Sequence, residues 1–169
     1  MLTLHSKRAS ADRIYGEMVL AWDQREKCRL RARLTSGEEV AVFTPRGSVL
    51  RDGDLLAAAE GQVVRVRAAL EPTYAVCCDS EAALLRCAYH LGNRHTQVQL
   101  GAGFLRIRVD PVLREMVEGL GARVVEGQAP FEPEAGAYGG GHGHGHEHGG
   151  ALAPIPLRQK IHRPGDAAP

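Results

Sequence analysis

A chain of 169 residues has room for one ordinary domain or two small ones plus a tail that need not fold, and with 5% aromatic residues any core must be built from Leu, Val and Ala. Twenty-one basic against twenty acidic residues leave a net charge of +1, which excludes a long-range field for nucleic acid or anionic lipid as the basis of function. No apolar run approaches the roughly 20 residues of a membrane helix, and MLTLHSKRAS lacks the apolar stretch of a secretory signal, so a cytoplasmic protein is expected, without nucleic acid or membrane among its partners.

Residues 1–71 read as strand and turn throughout. MVLAWD, CRLRARLT, EEVAVFT, DLLAAAE and VVRVRAAL alternate or run apolar, and SGEE, PRGS and RDGD break them. From Cys28 to Leu34, small or apolar residues alternate with Arg29, Arg31 and Arg33, the period of a half-buried strand. A row of cations also suits a partner or nucleic-acid surface. Glu26, Glu38 and Glu39 nearby, and the lack of interleaved aromatic rings, favour a solvated face. Glu71-Pro72 ends this β-rich half, because Pro ends strands and stiffens connections.

Residues 72–133 have a different grammar. Thr73 to Cys78 is a short apolar strand, and Asp79-Ser80-Glu81 starts a helix with a capping side chain and an acid in the first turn. Leu84, Cys87, Ala88 and Leu91 form its buried stripe, and Gly92-Asn93 is a stop of the left-handed type. Gln97–Leu100 and Phe104–Arg108 are strands joined by Gly101-Ala102-Gly103. Asp110-Pro111 starts a second helix, with Asp as cap and Pro in the first position. Its stripe is Leu113, Met116, Val117 and Leu120, and Gly121 closes it before a last strand at Arg123-Val124-Val125-Glu126. The expected fold is two-domain: an N-terminal all-β domain, then an α+β domain with the ferredoxin-like βαββαβ order and both helices on one face of an antiparallel sheet. Residues 134–169 turn to Gly, His, Pro and Ala without periodicity, a composition that predicts a disordered, His-rich tail.

Four cysteines, Cys28, Cys77, Cys78 and Cys87, could pair in three ways. Reduced thiols are expected in the cytoplasm, and without a second C-x-x-C pair a structural zinc site is poorly supported. Core filling is the better reading.

The strongest chemical signal is Gly141-His142-Gly143-His144-Gly145-His146-Glu147-His148. Neutral imidazole binds nickel, copper, zinc and iron, and the intervening glycines let two or more rings reach one ion. The tract does not choose the metal. A bare spacer and a purification tag are the bland readings; residues such as Ile155, Leu157 and His162 follow the tract, unlike a terminal tag. A second candidate, His95, lies beyond the Gly92-Asn93 stop on an exposed loop, whereas His90 is still helical. One imidazole cannot fill a coordination shell. It becomes a site if a two-fold axis brings the same loop from a second subunit; by spacing alone, a surface or capping histidine is the simpler reading.

Ala88-Tyr89-His90-Leu91-Gly92-Asn93-Arg94-His95, followed by Val98-Gln99-Leu100, Leu105-Arg106-Ile107, Asp110 and Val112-Leu113, resembles the metal-binding domain of the urease accessory protein UreE family. The resemblance is close over residues 72–127 and looser on either side. It implies a nickel metallochaperone with a peptide-binding-like β-domain over 1–71, a metal-binding and dimerisation domain over 72–133, and a His-rich tail. It also implies a homodimer in which His95 shares an ion with its counterpart, and delivery of Ni(II) to apo-urease through the urease-maturation GTPase; whether the dimer associates further once metal bridges two copies of the loop is not given by the sequence. His144, His146 or His148, or His162, would complete or exchange with that shell. Some relatives flank the aspartate that is Asp110 here with histidines; this chain has Val109 and Pro111, so that additional site is not carried over.

An enzyme is not expected, for there is no H-E-x-x-H, paired carboxylate, G-x-S-x-G or P-loop pattern. The rival to delivery is a His-rich protein that buffers or stores nickel, zinc or copper. Imidazole must be neutral to bind, so loading should fall as pH drops through the ordinary histidine range near about 6.5.

Overall fold

The computed structural model describes residues 1–135. The first unit holds β1 (Leu2–Arg8), β2 (Gly16–Leu20), the one-turn helix α1 (Trp22–Arg25), β3 (Arg29–Arg33), β4 (Glu39–Phe43), β5 (Leu55–Ala58) and β6 (Val63–Ala68). Its six strands lie in the order β2-β6-β5-β1-β4-β3, parallel at β1/β4 and β2/β6 and antiparallel elsewhere. Alternation sends Leu4, Met18, Val40, Val42, Leu56, Val64 and Val66 into one core, with Leu30 and Ala32 of β3 packed against it. The sheet rolls until its two ends approach, and the Thr35 N–H donates to the Glu17 carbonyl at 2.7 Å.

Two expectations for this half need correction. The first strand went unread: in LTLHSKR only Leu2 and Leu4 alternate, and the register shifts between Leu4 and Ser6. Yet β1 is central, laddered to both β4 and β5. Trp22-Asp23, read as a strand end, belongs to α1, where Trp22 is buried and the Ala21 N–H donates to Gln24 Oε1.

The second unit holds β7 (Leu70–Cys77), α2 (Glu81–Gly92), β8 (Gln99–Gly101), β9 (Phe104–Arg108), α3 (Pro111–Gly119) and β10 (Arg123–Pro130), so the βαββαβ order is present element by element. The antiparallel sheet has the order β10-β7-β9-β8. Both helix starts are capped as their residues require: Ser80 Oγ accepts from the Ala83 N–H at 3.2 Å, and Asp110 Oδ1 accepts from Val112 and Leu113 at 2.8 and 3.1 Å. Cys87, Leu91 and Val117 are buried against Tyr74, Val76, Leu105 and Ile107, while Leu84, Ala88, Leu113, Met116 and Leu120 pack around them. Cys78 and Cys87 fill this core with their sulfurs 3.8 Å apart.

Pro72 does not end a strand. It lies inside β7 opposite Gln128, at a level beyond the last residue of β9, Arg108, which pairs with Thr73, so one side of β7 is unpaired and accommodates a residue without an N–H. The β8–β9 turn is also tighter than expected: Gly101 pairs with Phe104, leaving Ala102-Gly103 as the turn, with Gly103 at φ +81.

Candidate metal site

The core-facing stripe of α2 fixes where its C-terminal end points. Leu91 is buried, Gly92 completes the helix, and the chain then turns through Asn93 N to Tyr89 O, Arg94 N to Leu91 O and His95 N to Gly92 O, each at 3.0 Å. The expected left-handed stop at Gly92-Asn93 is displaced: Asn93 keeps right-handed helical geometry and His95 takes φ +53, the one positive-φ residue other than glycine among those described. That conformation costs a side chain with a Cβ about 1–2 kcal/mol. It leaves the His95 imidazole exposed at the negative end of a helix dipole, where a cation is favoured.

His95 lines an open hollow with Thr96, Gln97, Arg108, Val109, Asp110 and Leu113. Two of these are committed elsewhere. Asp110 caps α3, and Arg108 donates to Asp23 of α1 at 2.7 Å, a bond that also holds the Asp23 carboxyl below the usual carboxylate range. Val109 stands beside His95 where a flanking histidine would have offered a second imidazole. Gln97 Nε2 donates to Glu26 at 2.9 Å, so the α1 segment braces two walls of the hollow.

Among the described residues no group of three or more His, Cys, Asp or Glu could hold a metal ion. Buried Cys87 is no substitute, since burial pushes its thiol up to about 11 and a protonated thiol is a poor ligand. His90 is half-buried, its ring edge-on to Tyr89 at 5.3 Å. Among the described residues His95 is thus brought together with no second ligand, and His142, His144, His146, His148 and His162 lie outside the described residues.

Apolar side chains are also left uncovered on the two helices of this unit. Leu85 and Tyr89, one turn apart on α2, are 64% and 67% exposed, Val112 on the first turn of α3 is 66% exposed, and Val109 is exposed inside the hollow.

Sequence reasoning missed the junction between the two units. Arg25 is fully buried, and its guanidinium donates to the carbonyls of Leu20 (3.2 Å), Leu50 (3.4 Å) and Phe131 (2.6 Å) while pairing with Glu132. Arg51 reaches Glu132 and the Pro133 carbonyl. Trp22 lies under both guanidiniums, with buried Phe131 edge-on to its ring. Partners more than a hundred residues apart leave no local pattern; the lone Trp22 three residues before Arg25 was the only trace. The junction also pins the end of the described chain, for the Glu132 N–H donates to Gln99 Oε1 and the Glu134 N–H to the Val98 carbonyl at 2.8 Å. Glu134 is thereby held at Val98, three residues from His95 in the sequence. No described helix is long and apolar enough to cross a membrane.

Two family models match. One described as "UreE urease accessory protein, N-terminal domain" covers residues 3–69, and one described as "UreE urease accessory protein, C-terminal domain" covers residues 71–154. Proteins named urease accessory protein UreE are similar over nearly the whole chain: that of Janthinobacterium sp. (strain Marseille) is 66% identical across 99% of both chains, and that of Nitrosospira multiformis 59% across 98% of both. The Burkholderia vietnamiensis protein of that name is 55% identical over 73% of this chain and 62% of its own.

Proposed function

Because the chain belongs to the UreE family of urease accessory proteins, we propose that it is a nickel metallochaperone: an accessory protein, not an enzyme, that carries Ni(II) as cargo to apo-urease during urease maturation. The observation that carries this reading is the exposed His95, held at a strained turn without a second ligand among the described residues, on a unit whose helices leave Leu85, Tyr89 and Val112 uncovered. An isologous dimer supplies what is missing, since a two-fold axis beside the loop duplicates the imidazole and buries Leu85, Tyr89 and Val112 together.

The remaining ligands come from His142, His144, His146, His148 or His162. Covalent length alone allows it: His142 is eight residues beyond the pinned Glu134, a span of up to about 28 Å at about 3.5 Å per residue. A shell with two fixed and several exchangeable imidazoles holds an ion and still releases it, as delivery demands and long-term storage does not. Zinc and copper suit the same donors, and metal-bridged association beyond the dimer follows if the tails of two dimers share an ion. In this division of labour residues 72–133 bind metal and dimerise, residues 134–169 exchange it, and residues 1–71 dock the maturation machinery, namely the GTPase and the apo-urease complex.

Calorimetric nickel titration of the full chain, a truncation ending at Glu134, and His95→Ala tests the reading. The truncation should keep about one tight nickel per dimer, and His95→Ala should lose it. Loss of all binding with the tail, with His95→Ala equal to the parent, would make the protein a tail-based buffer for nickel, zinc or copper instead.

A further inference from the structure

β3 forms one edge of the six-stranded sheet and is laddered only to β4. Two bonds fix the parity of that ladder: the Thr44 N–H donates to the Cys28 carbonyl at 2.8 Å and the Leu34 N–H to the Glu38 carbonyl at 2.9 Å. Hydrogen-bonded pairs alternate along an antiparallel ladder. Leu30 and Ala32 therefore turn their N–H and C=O groups toward β4, and Arg29, Arg31 and Arg33 turn theirs to the open edge. The side chains follow the same alternation, with the arginines exposed and Leu30 and Ala32 against the core. Free backbone groups and guanidinium groups thus belong to the same three residues.

The two ends of this edge differ. At Arg33 it is occupied, since Arg33 pairs with Glu39 at 2.5 Å and the Thr35 N–H is taken by Glu17. Arg29 and Arg31 have no ion-pair partner among the described residues, and with Met1, Thr3, Ala41 and Phe43 they line a groove on the outer face. Phe43 is 42% exposed there, stacked on His5. In a chain of net charge +1 this is local electropositive character beside an uncovered ring.

We propose that the β3 edge of the first unit captures an acidic, extended segment of a protein partner by strand addition. The segment's backbone completes the bonds left open at Arg29 and Arg31, carboxylates on alternate residues meet the two guanidiniums, and an apolar residue covers Phe43. This rests on the reading of residues 1–71 as the docking half and names its location and chemistry. Charged residues on an edge also serve as guards against sheet-to-sheet aggregation, and that role predicts a different outcome.

The test uses the full chain and a labelled peptide in which Glu alternates with Val, followed by fluorescence anisotropy. Saturable binding is expected, weakening as salt rises from about 50 to about 300 mM, and weaker by at least about tenfold in Arg29→Glu/Arg31→Glu. It should also be lost when alternate peptide amides are N-methylated, and a Lys-Val peptide should not bind. Absence of binding by the parent, together with self-association of Arg29→Ala/Arg31→Ala in sedimentation, would overturn the proposal in favour of a guard. Charge-dependent binding indifferent to N-methylation would overturn strand addition. Nickel titration of the same variants should match the parent, so a failure here leaves the chaperone reading standing, and a failure of nickel binding leaves the peptide result interpretable.

Discussion

His95 combines two properties that substitution can separate, a left-handed backbone and an exposed imidazole. Glycine adopts that backbone without steric cost. His95→Gly should therefore unfold in urea no more easily than the parent, with a gain of up to about 1 kcal/mol, while losing the tight nickel seen in calorimetry. A variant that loses stability by several kcal/mol would make His95 a structural residue and not a ligand. The exposure of His95 was legible in the sequence because Gly92-Asn93 announced the end of α2. Its conformation was not, because Gly92 completes the last helical turn and Asn93 stays right-handed before the chain reaches the positive φ of His95, a matter of backbone hydrogen bonds that residue type does not dictate. Cys87 shows the opposite case: its place on the i, i+3, i+4 stripe sufficed to put it in the core.

At the level of elements, the two helices of the second unit follow from their caps and stripes, whereas β1 and α1 depend on partners distant in sequence. β1 has too few apolar residues to announce itself, and it becomes central only because β4 and β5 close on it from later in the chain. α1 is a single turn, below any periodic signal, yet its Asp23 reaches Arg108 beside the His95 hollow. The hydrogen bond from Arg108 lowers the Asp23 pKa, so the pair's contribution is fully present above the ordinary carboxylate value of about 3.9 and is lost as pH falls through the lower folded value. Both groups are well exposed, which limits the effect to within about 1 kcal/mol. Asp23→Asn should accordingly be slightly less stable than the parent at pH 7, and the gap should close as pH falls below the lowered Asp23 value; a gap persisting in acid would assign it to something other than the charge. α2 carries the prediction for assembly. Leu85→Glu/Tyr89→Glu places two like charges on a surface proposed to meet its own copy, and sedimentation should show dimerisation weakened at least about tenfold with an unaltered monomer fold. Unchanged dimerisation would place the two-fold axis on another face.

Across the whole molecule, the two sheets are joined by a polar junction buried under Trp22. Arg25 is fully enclosed and satisfies three carbonyls and Glu132 at once, so truncation strands several acceptors and removes one of the two arginine partners of a carboxylate that is itself largely covered. Breaking such a pair from one side costs about 3–5 kcal/mol. Arg25→Ala should lower the unfolding free energy by an amount in that range, and the form of the transition is more telling than its size. With the junction intact, Phe131 and Glu132 at the end of the second unit are held within the first, which couples the two cores and predicts one cooperative urea transition. Without Arg25 the units retain separate cores, and fluorescence of Trp22, the lone tryptophan, should report an earlier transition than far-ultraviolet circular dichroism, which averages both. Coincident transitions in the variant would show that β6, running through Ala69 directly into β7, couples the units without the clamp. The same variant frees the segment pinned beside Val98, so tail-dependent nickel binding should weaken while the affinity of the Glu134 truncation for its interface nickel stays closer to the parent's. Equal losses in both would mean that the junction shapes the His95 hollow itself, through Asp23 and Gln97, and not the point from which the tail sets out.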